Sequence, residues 1–378
     1  MPQPTPSLWQ PESRPQTGLP DSAQVVVIGA GITGLAVAQR LMAASVDVHV
    51  IEARPGVGGG MASRGMGIAS VLLLDPPYRL VQAVGASAAR DILRFSAAGV
   101  ARWGDAMDPT GVVYATKGAA EAREIHQNLE AMAALGIKAD SWSPEDSPGI
   151  GPGWVQPQGG TLNLESTLRS LAHGVSVSTH RRVIAIDDDG FDLRARMETG
   201  ESIKADVVIM TGGAQVTPWA ADKFHPVRHQ TIATAAVQTC IPRPMHIQYG
   251  YTSARQTKAG RVLLSGCRWA TPHMEAGETD DSTVQPDVDA RLRSFLHEHW
   301  PHLRDTPITH QWSSIMTFSC DGLPIIGPLP GRPRIISCGG FGAFSPSLAL
   351  RAADAVVDGI LNGESPGVPA CFETRRFS

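Results

Sequence analysis

No two of the five cysteines (Cys240, Cys267, Cys320, Cys338, Cys371) form a Cys-x-x-Cys pair, and their number is odd. That usage excludes a disulfide framework and is the pattern of buried thiols in a reducing cytoplasm, which is the expected location. Basic excess is also missing: the formal net charge is −4, and no dense Lys/Arg cluster forms a phosphate track, so a nucleic-acid partner is not expected. No run approaches the roughly 18 consecutive apolar residues of a membrane span. The first residues lack the basic start and apolar core of a secretory signal. Histidines crowd together only at His297, His299 and His302, on a stretch with a helical apolar face (Val288, Leu292, Phe295, Leu296). Residues two apart on a helix do not face each other, so this reads as a solvated helix end, and no metal site is expected.

What the chain does have is a glycine pattern with the right neighbours. The β-branched run Val25 to Ile28 stops at Gly29, followed by Gly31 and Gly34, and a helical pattern (Leu35, Ala38, Leu41, Met42) begins at once. A second strand, Val46 to Ile51, delivers Glu52 eighteen residues after Gly34. Gly29 makes the tight turn, Gly31 lets a pyrophosphate approach the backbone, and Gly34 lets helix and strand pack closely. The helix N-terminus offers N–H groups and a positive dipole end to phosphate. Glu52 is placed to accept from a ribose hydroxyl. Strand, turn, helix and acid in this order predict a dinucleotide-binding βαβ unit.

The 378 residues, 42% hydrophobic and 18% charged, suit two domains or one domain with insertions. Residues 1–23 are proline-rich and read as an extended arm with Trp9 as its anchor. Residues 78–148 read as mainly helical, with a break from Pro109 to Lys117. A helix at 163–172 leads into strands at 175–179, 182–187 and 205–210. Residues 228–309 read as β-rich, with strands at 230–237, 246–252 and 261–266. The C-terminal part is a strand-turn series ending in a helix over 345–361. These blocks predict an α/β fold in which 24–75, 155–225 and 310–378 form one discontinuous domain, and 76–154 with 226–309 form another.

Four segments together resemble the FAD-dependent D-amino-acid oxidase/glycine oxidase superfamily over nearly the whole length. The first is the βαβ unit. The second is Gly58 to Gly67, similar to the family's flavin-side loop, although Met61 and Ala62 stand where Ala and Ser are usual and Gly65 where Asn is common. The third is Ala205 to Gly213, similar to the strand that ends under the adenosine. The fourth is Trp312 to Pro328, followed by Gly339, Gly340, Phe341 and Gly342 at the start of the last helix. The resemblance implies a glutathione-reductase-type, Rossmann-like FAD domain with an inserted α+β substrate domain on a mostly antiparallel sheet. It implies non-covalent FAD held by Gly29, Gly31, Ile32, Thr33, Gly34, Glu52, Ala53 and Arg54. Further contacts would come from Gly60, Met61, Ser63, Arg64, Met66, Val183, Thr211, Gly212, Gly340, Phe341, Gly342, Ala343 and Phe344. In relatives the last helix directs its dipole at the flavin, where it stabilises negative charge on the reduced cofactor.

Within the superfamily, Ser7 to Trp9 and the series Trp312, Ile315, Met316, Phe318, Asp321, Pro324 resemble the γ-glutamylputrescine oxidase-like branch. Branches acting on α-amino acids generally carry arginine at the position of Met316, where a guanidinium clamps carboxylate. Met316 either lines a pocket or packs in a core. The expected substrate side comprises Arg268, Tyr251, Met316 and Phe344, with Trp269 after Arg268 and Tyr249 two residues from Tyr251 on the same face of a strand. Each tyrosine is equally readable as sheet packing, and a carboxylate could still be met by Arg268. Sarcosine-oxidising relatives attach flavin through a cysteine where this chain has Ser314, and keep a lysine for oxygen where Leu263 and Leu264 stand. Oxygen and an electron-transfer partner thus remain alternative acceptors.

The resemblance implies hydride transfer from a small-molecule amine, a polyamine derivative or secondary amine, giving an imine that hydrolyses. Alternatives are a glycine or D-amino-acid oxidase, and a flavin-binding subunit of a larger dehydrogenase complex.

Overall fold

The computed structural model describes residues 3–9, 18–73, 75–144, 150–212 and 216–378. Most of the central part of the proline-rich arm, and Gly213, lie outside the described residues. The chain forms two compact units. A glycine-loop unit comprises Trp9–Ser63, Leu164–Pro226 and Met316–Ser378, and an insert unit comprises Met1–Leu8, Arg64–Asn163 and Val227–Ile315.

In the glycine-loop unit, the strand Ser22–Ile28 pairs in parallel with Val48–Ile51 on one side and Ser202–Thr211 on the other. Val177–Ser178 extends the parallel set beyond Val48–Ile51. The antiparallel pair Val183–Asp188 and Leu193–Met197 continues the other edge, and Arg332–Gly339 joins Ser202–Thr211 in parallel. The central strands are nearly continuous apolar runs because both faces are covered. Val26, Val208 and Ile335 are wholly buried within one cluster that also takes Phe224 and Leu193. The first helix, Ile32–Ala43, and the last, Ser345–Asn362, pack on each other, with Arg40 reaching Asp354 at 3.0 Å and Asp358 at 3.2 Å. Leu35, Ala38 and Leu41 are fully buried, whereas Met42 is 38% exposed. Met42 lies one position, about 100° of rotation, past Leu41 and so turns off the buried stripe.

The insert unit is built on an eight-stranded sheet. Its order is Ile308–Ser319, Phe224–Ala236, Arg261–Gly266, Thr252–Gln256, Met245–Ile247, Val112–Ala115, Gly153–Gln156 and Asp140–Trp142. The resolved pairings are antiparallel except where Met245–Ile247 meets Val112–Ala115. Side chains alternate between faces. On one face Val113, Ile232, Met245, Ala254, Val262 and Leu264 pack with Val288, Leu292, Phe295 and Leu296 of the helix Pro286–His299. The opposite face carries a different row. Thr231, Ser265, Ser253, His246, Tyr114 and Trp154 stand in register on six successive strands.

Several expectations change on contact with this structure. The break expected from Pro109 to Lys117 is filled by a strand, Val112–Ala115, that lies inside the large sheet. The strand expected over 246–252 ends at Ile247. Gln248 and Tyr249 take left-handed backbone (φ 55° and 53°), and Gly250 follows at φ 83°. Tyr249 and Tyr251 therefore sit in a hairpin turn and do not share a strand face. His299 is not solvated but buried against Phe295, with ring centroids 4.2 Å apart. The units divide at Ser63/Arg64 and Asn163/Leu164, whereas the sequence placed divisions at 75/76 and 154/155. Buried Arg255 accounts for the difference: its Nη1 donates to Met66 O (2.6 Å) and Leu162 O (3.1 Å), tying both segments to the insert sheet.

Phe295 is wholly buried between helix and sheet. Phe295→Ala is expected to destabilise the insert unit by about 3–5 kcal/mol through lost burial and the cavity left behind. Urea unfolding followed by circular dichroism measures it; a loss under about 1 kcal/mol contradicts the packing described.

Candidate functional site

The glycine loop is shaped by three close approaches. Gly29 has φ +105°, and a Cβ there would lie 3.0 Å from Thr211 Oγ1. A Cβ on Gly34 would lie 1.9 Å from Gly29 O, so helix and strand can pack only with glycine at that position. Thr211 Oγ1 donates to Ile28 O (2.9 Å) and closes the end of the strand. Glu52, 8% exposed, accepts from Ala30 N and Arg54 N, both at 2.8 Å. Burial pushes its carboxyl up against the lowering effect of those N–H groups. A carboxylate offers about four lone-pair sites, so two bonds leave capacity for ribose hydroxyls.

Gly31 is different. It is the N-cap of the first helix, in extended backbone, and the nearest atom to a Cβ built on it is Ala62 Cβ at 3.9 Å. The chain itself does not require glycine there. No side chain caps this helix and no acid stands in its first turn, so its N–H groups and dipole face open space. Gly60 likewise has nothing within 4 Å of a Cβ. Glycines without a steric need inside the protein, at an uncapped helix N-terminus, fit a ligand's diphosphate. Ile32 and Thr33 are buried in the helix start, Ala53 is exposed and Arg54 half-buried just past Glu52. Met61 and Ser63 lie in a short 3-10 turn, with Ser63 N donating to Gly58 O at 3.0 Å. Val183 is buried at the start of its strand, and Gly212 takes φ +71°.

The C-terminal glycines repeat the theme in the same unit. Gly340 and Gly342 have φ 75° and 52°, and a Cβ on Gly342 would lie 2.4 Å from the Phe318 ring. Phe341 is buried and bridges to Phe318. Ala343 and Phe344 are half-buried, and Phe344 is the N-cap of Ser345–Asn362, a helix with no side-chain cap and no acid in its first turn. Met316, 4% exposed, also belongs to this unit.

Arg64, Met66, Arg268 and Tyr251 belong to the insert unit. Arg64 pairs with Asp281 at 2.8 Å and donates to Ser313 O at 3.2 Å, while Trp312 Nε1 donates to Arg64 O at 2.9 Å. Its guanidinium thus has anchoring work whatever else it touches. Arg268 follows the left-handed Cys267 (φ 53°) at the end of Arg261–Gly266, and its guanidinium lies 5.8 Å from the Tyr251 ring centroid. Burial draws its pKa down. Trp269 is 40% exposed, with Arg291 at 5.2 Å from its ring. Ser314, wholly buried, donates to His229 O at 3.4 Å.

Sequence reasoning missed His229 and Ser265. His229 Nε2 and Ser265 Oγ are hydrogen-bonded across strands, and Thr231 Oγ1 donates to Ser265 Oγ at 2.9 Å. Burial and the Arg268 charge lower the His229 pKa to about 3. An imidazole held that low is a hydrogen-bonding group and not a base at neutral pH. Neither 229–235 nor 261–265 alternates cleanly between polar and apolar residues, so the sequence carried no clear signal for this pair. Among the described residues no group of three or more His, Cys, Asp or Glu could hold a metal. No helix is long and apolar enough to cross a membrane among the described residues.

Comparison with known proteins agrees with this geometry. Residues 24–358 match the family described as FAD dependent oxidoreductase (DAO). The chain belongs to that family, and FAD is its cofactor. It is 25% identical over 354 residues to the tRNA 5-methylaminomethyl-2-thiouridine biosynthesis bifunctional protein MnmC of Ralstonia nicotianae, covering 86% of this chain and 52% of that protein. The chain thus spans about half the length of that relative. It is also 25% identical to the glycine oxidase of Pseudomonas putida, covering 84% of this chain and 89% of that protein. Among solved structures, L-proline dehydrogenase from P. horikoshii superposes with a TM-score of 0.77 at 18% identity, covering 95% of this chain and 98% of that one, which shows the fold.

Two outcomes follow from the site. Gly31→Ala is expected to cost the apoprotein no more than about 1 kcal/mol, the usual range for an N-cap change, while weakening FAD at least about tenfold. Melting of the apoprotein and flavin absorbance of the purified chain separate the two effects; full flavin loading in the variant contradicts the assignment. The second concerns His246, whose pKa burial lowers to about 4. Stability from keeping it neutral is complete above the unfolded value near 6.5 and is lost as pH falls from there toward 4. Urea midpoints over that window are expected to show up to about 3 kcal/mol less loss in His246→Asn, which keeps an acceptor for Ser253, than in the parent.

Proposed function

We propose that this FAD-dependent oxidoreductase, a member of a family acting on amines and amino acids, oxidises the C–N bond of a secondary amine or polyamine derivative in preference to a free α-amino acid. The observation that carries this is Met316, a thioether buried to 4% exposure where the α-amino-acid branches carry arginine. A thioether offers no N–H fork to a carboxylate but suits an alkyl chain. The motif resemblance to the γ-glutamylputrescine oxidase-like branch supports the same reading. So does the MnmC relative, whose named product carries a methylaminomethyl group, a secondary amine.

FAD, when bound, supplies the hydride acceptor. The chain's own part is to hold and orient. The first helix's N-terminus with Gly31 and Gly60 takes the diphosphate, Glu52 the ribose hydroxyls, and Gly340 to Phe344 with the last helix's N-terminus the flavin end. Thr211 and Gly212 close the adenosine side. In the insert unit Arg268 and Tyr251 are the candidates to orient substrate; in the glycine-loop unit Met316 and Phe344 are the candidates for apolar contact. An ammonium must lose its proton before its neighbouring carbon yields hydride. Where the amine is desolvated its neutral form is favoured, so a dedicated base is not required. Oxygen or an electron-transfer partner then accepts the electrons.

A second reading, a glycine-oxidase-like enzyme, is favoured by the Pseudomonas putida relative. In it Arg268 takes the carboxylate.

The test is anaerobic bleaching of the flavin across polyamines, N-acylated diamines, N-methyl amines and α-amino acids. Bleaching by amines lacking an α-carboxylate is expected to be at least about tenfold more efficient, and insensitive to carboxylate removal. Bleaching by α-amino acids alone, lost in Arg268→Ala, replaces this reading with the second.

A further inference from the structure

The edge strand of a sheet carries a row of unpaired N–H and C=O groups, and the two eight-stranded sheets treat their edges unequally. Along Ile308–Ser319 the N-terminal segment is bonded in place: Thr5 N donates to Gln311 O at 2.7 Å, Gln311 N to Thr5 Oγ1 at 3.0 Å and Gln311 Nε2 to Gln3 O at 2.7 Å. The far edge of that sheet, Asp140–Trp142, has only three residues. In the glycine-loop sheet, the edge Val177–Ser178 has two residues, and Ser178 Oγ donates to Gly18 O at 3.0 Å. Ile325–Leu329 is bridged by Glu373, and Thr374 Oγ1 donates to Pro328 O. One edge is left. Val183–Asp188 pairs with Leu193–Met197 on one side, and among the described residues no strand lies on its other side.

The open strand and its flanks read Arg181-Arg182-Val183-Ile184-Ala185-Ile186-Asp187-Asp188-Asp189. Two cations precede the apolar centre and three anions follow it. An antiparallel copy of the same sequence, centred on Ala185, sets Arg182 opposite Asp188 and Arg181 opposite Asp189, and the two-fold axis makes each contact occur twice. A parallel copy sets like charges together and is disfavoured. Arg181 and Asp188 are already held within the chain, by Glu201 at 2.9 Å and Arg334 at 2.5 Å. Arg182 is not: its side chain is 66% exposed and comes only to 3.9 Å from the equally exposed Glu198. Asp187 is exposed beside Arg196, and Asp189 is exposed with no ion pair among the described residues. The register shifts between Val183 and Ala185, and Ile184 there is 45% exposed. The hairpin tip holds out Phe191, 92% exposed.

We propose that Val183–Asp188 is a self-association edge, on which a second copy of this chain pairs its own Val183–Asp188 antiparallel about a two-fold axis at Ala185. The outward N–H and C=O groups of each strand then satisfy those of the other, and two glycine-loop sheets become one continuous sheet. Charge sets the direction: the exposed Arg182 of each copy meets the acidic end of the other. The tip of each hairpin runs past the basic end of the other copy, where Phe191 gains a cationic neighbour for its ring. One edge strand and two aromatic tips form a small interface, so the dimer is weak and reversible. It owes nothing to the identity of the substrate, and Arg182, Ala185 and Phe191 have no part in the cofactor site.

The test is sedimentation velocity of the FAD-loaded chain from about 1 µM to about 200 µM, where a monomer–dimer equilibrium with a Kd on the order of 10 µM is expected. Raising the salt should weaken it, since the charges that align the strands are exposed. Arg182→Asp, which sets acid against acid at both ends, should raise the Kd at least about tenfold, and Phe191→Ser should raise it less, both with flavin content and melting unchanged. Ala185→Cys reads the axis directly. Its two copies face each other across the paired strands, so diamide should link them through a disulfide that the parent, with its five native cysteines, does not form. A chain that stays monomeric throughout this range overturns the proposal. So does a dimer whose Kd is the same in parent, Arg182→Asp and Phe191→Ser, or one that Ala185→Cys fails to link, because its interface then lies elsewhere.

Discussion

The glycine-loop unit depends on one close approach, that of the first helix to the carbonyl of Gly29. With Gly34 a Cβ's breadth nearer than any other residue allows, the helix starts directly above the strand end. Its unpaired N–H groups then emerge beside Gly31, where the protein leaves space. Two side chains hold the turn from outside the motif: Thr211 through the carbonyl of Ile28, and Glu52 through the N–H of Ala30. Three strands are thereby locked at their C-terminal ends, the edge at which parallel α/β sheets bind ligands. The last helix reaches the same unit by packing on the first, and it too begins uncapped after glycines with positive φ.

The two units use different means. The glycine-loop unit presents backbone N–H groups, which need no side-chain ordering and carry no charge that must be desolvated. The insert unit presents side chains on one face of a sheet whose other face packs on the helix Pro286–His299. That second arrangement makes polar side chains expensive unless paired. The row from Thr231 to Trp154 meets this demand by bonding across strands: Thr231 to Ser265, Ser265 to His229, Ser253 to His246, and ring to ring onward. Each pair is between cross-strand neighbours, in register except for the diagonal His229–Ser265 pair, so the sheet's own pleat positions the chemistry.

The cofactor end was legible because its determinants are local. Gly29, Gly31, Gly34 and Glu52 fall within 24 residues, and the strand-helix-strand order fixes what each does. The family and its fold were legible for the same reason, from motifs that are contiguous in the chain. The substrate side was less so. Alternation of Tyr249 and Tyr251 looks like a strand, yet Gln248, Tyr249 and Gly250 take left-handed backbone, which apolar periodicity does not register. His229 and Ser265 lie 36 residues apart and meet only through strand pairing. Tyr114 and Trp154 are further from His246 still, and Tyr114 falls in a segment read only as a break between helices. Arg255 needed the fold as well, since a lone arginine in a strand says nothing of the carbonyls it will saturate.

The arginines of the insert unit bear on the sign of the substrate. Arg228 is held bidentate by Glu275 at 3.1 Å to each oxygen, with Thr283 Oγ1 accepting at 3.0 Å. Arg64 is paired with Asp281, and Arg255 is consumed by backbone carbonyls. Breaking any of these to receive a carboxylate strands a buried partner, a cost of several kcal/mol that an anionic ligand must offset. Arg79 pairs with Glu124 at 2.6 Å near the surface, where such a pair contributes at most about 1 kcal/mol. Of the arginines proposed to meet substrate there remains Arg268, half-buried with its guanidinium 5.8 Å from the Tyr251 ring centroid. The buried arginines of this unit are thus supports of its sheet and loops, and their presence is no argument for an anionic substrate.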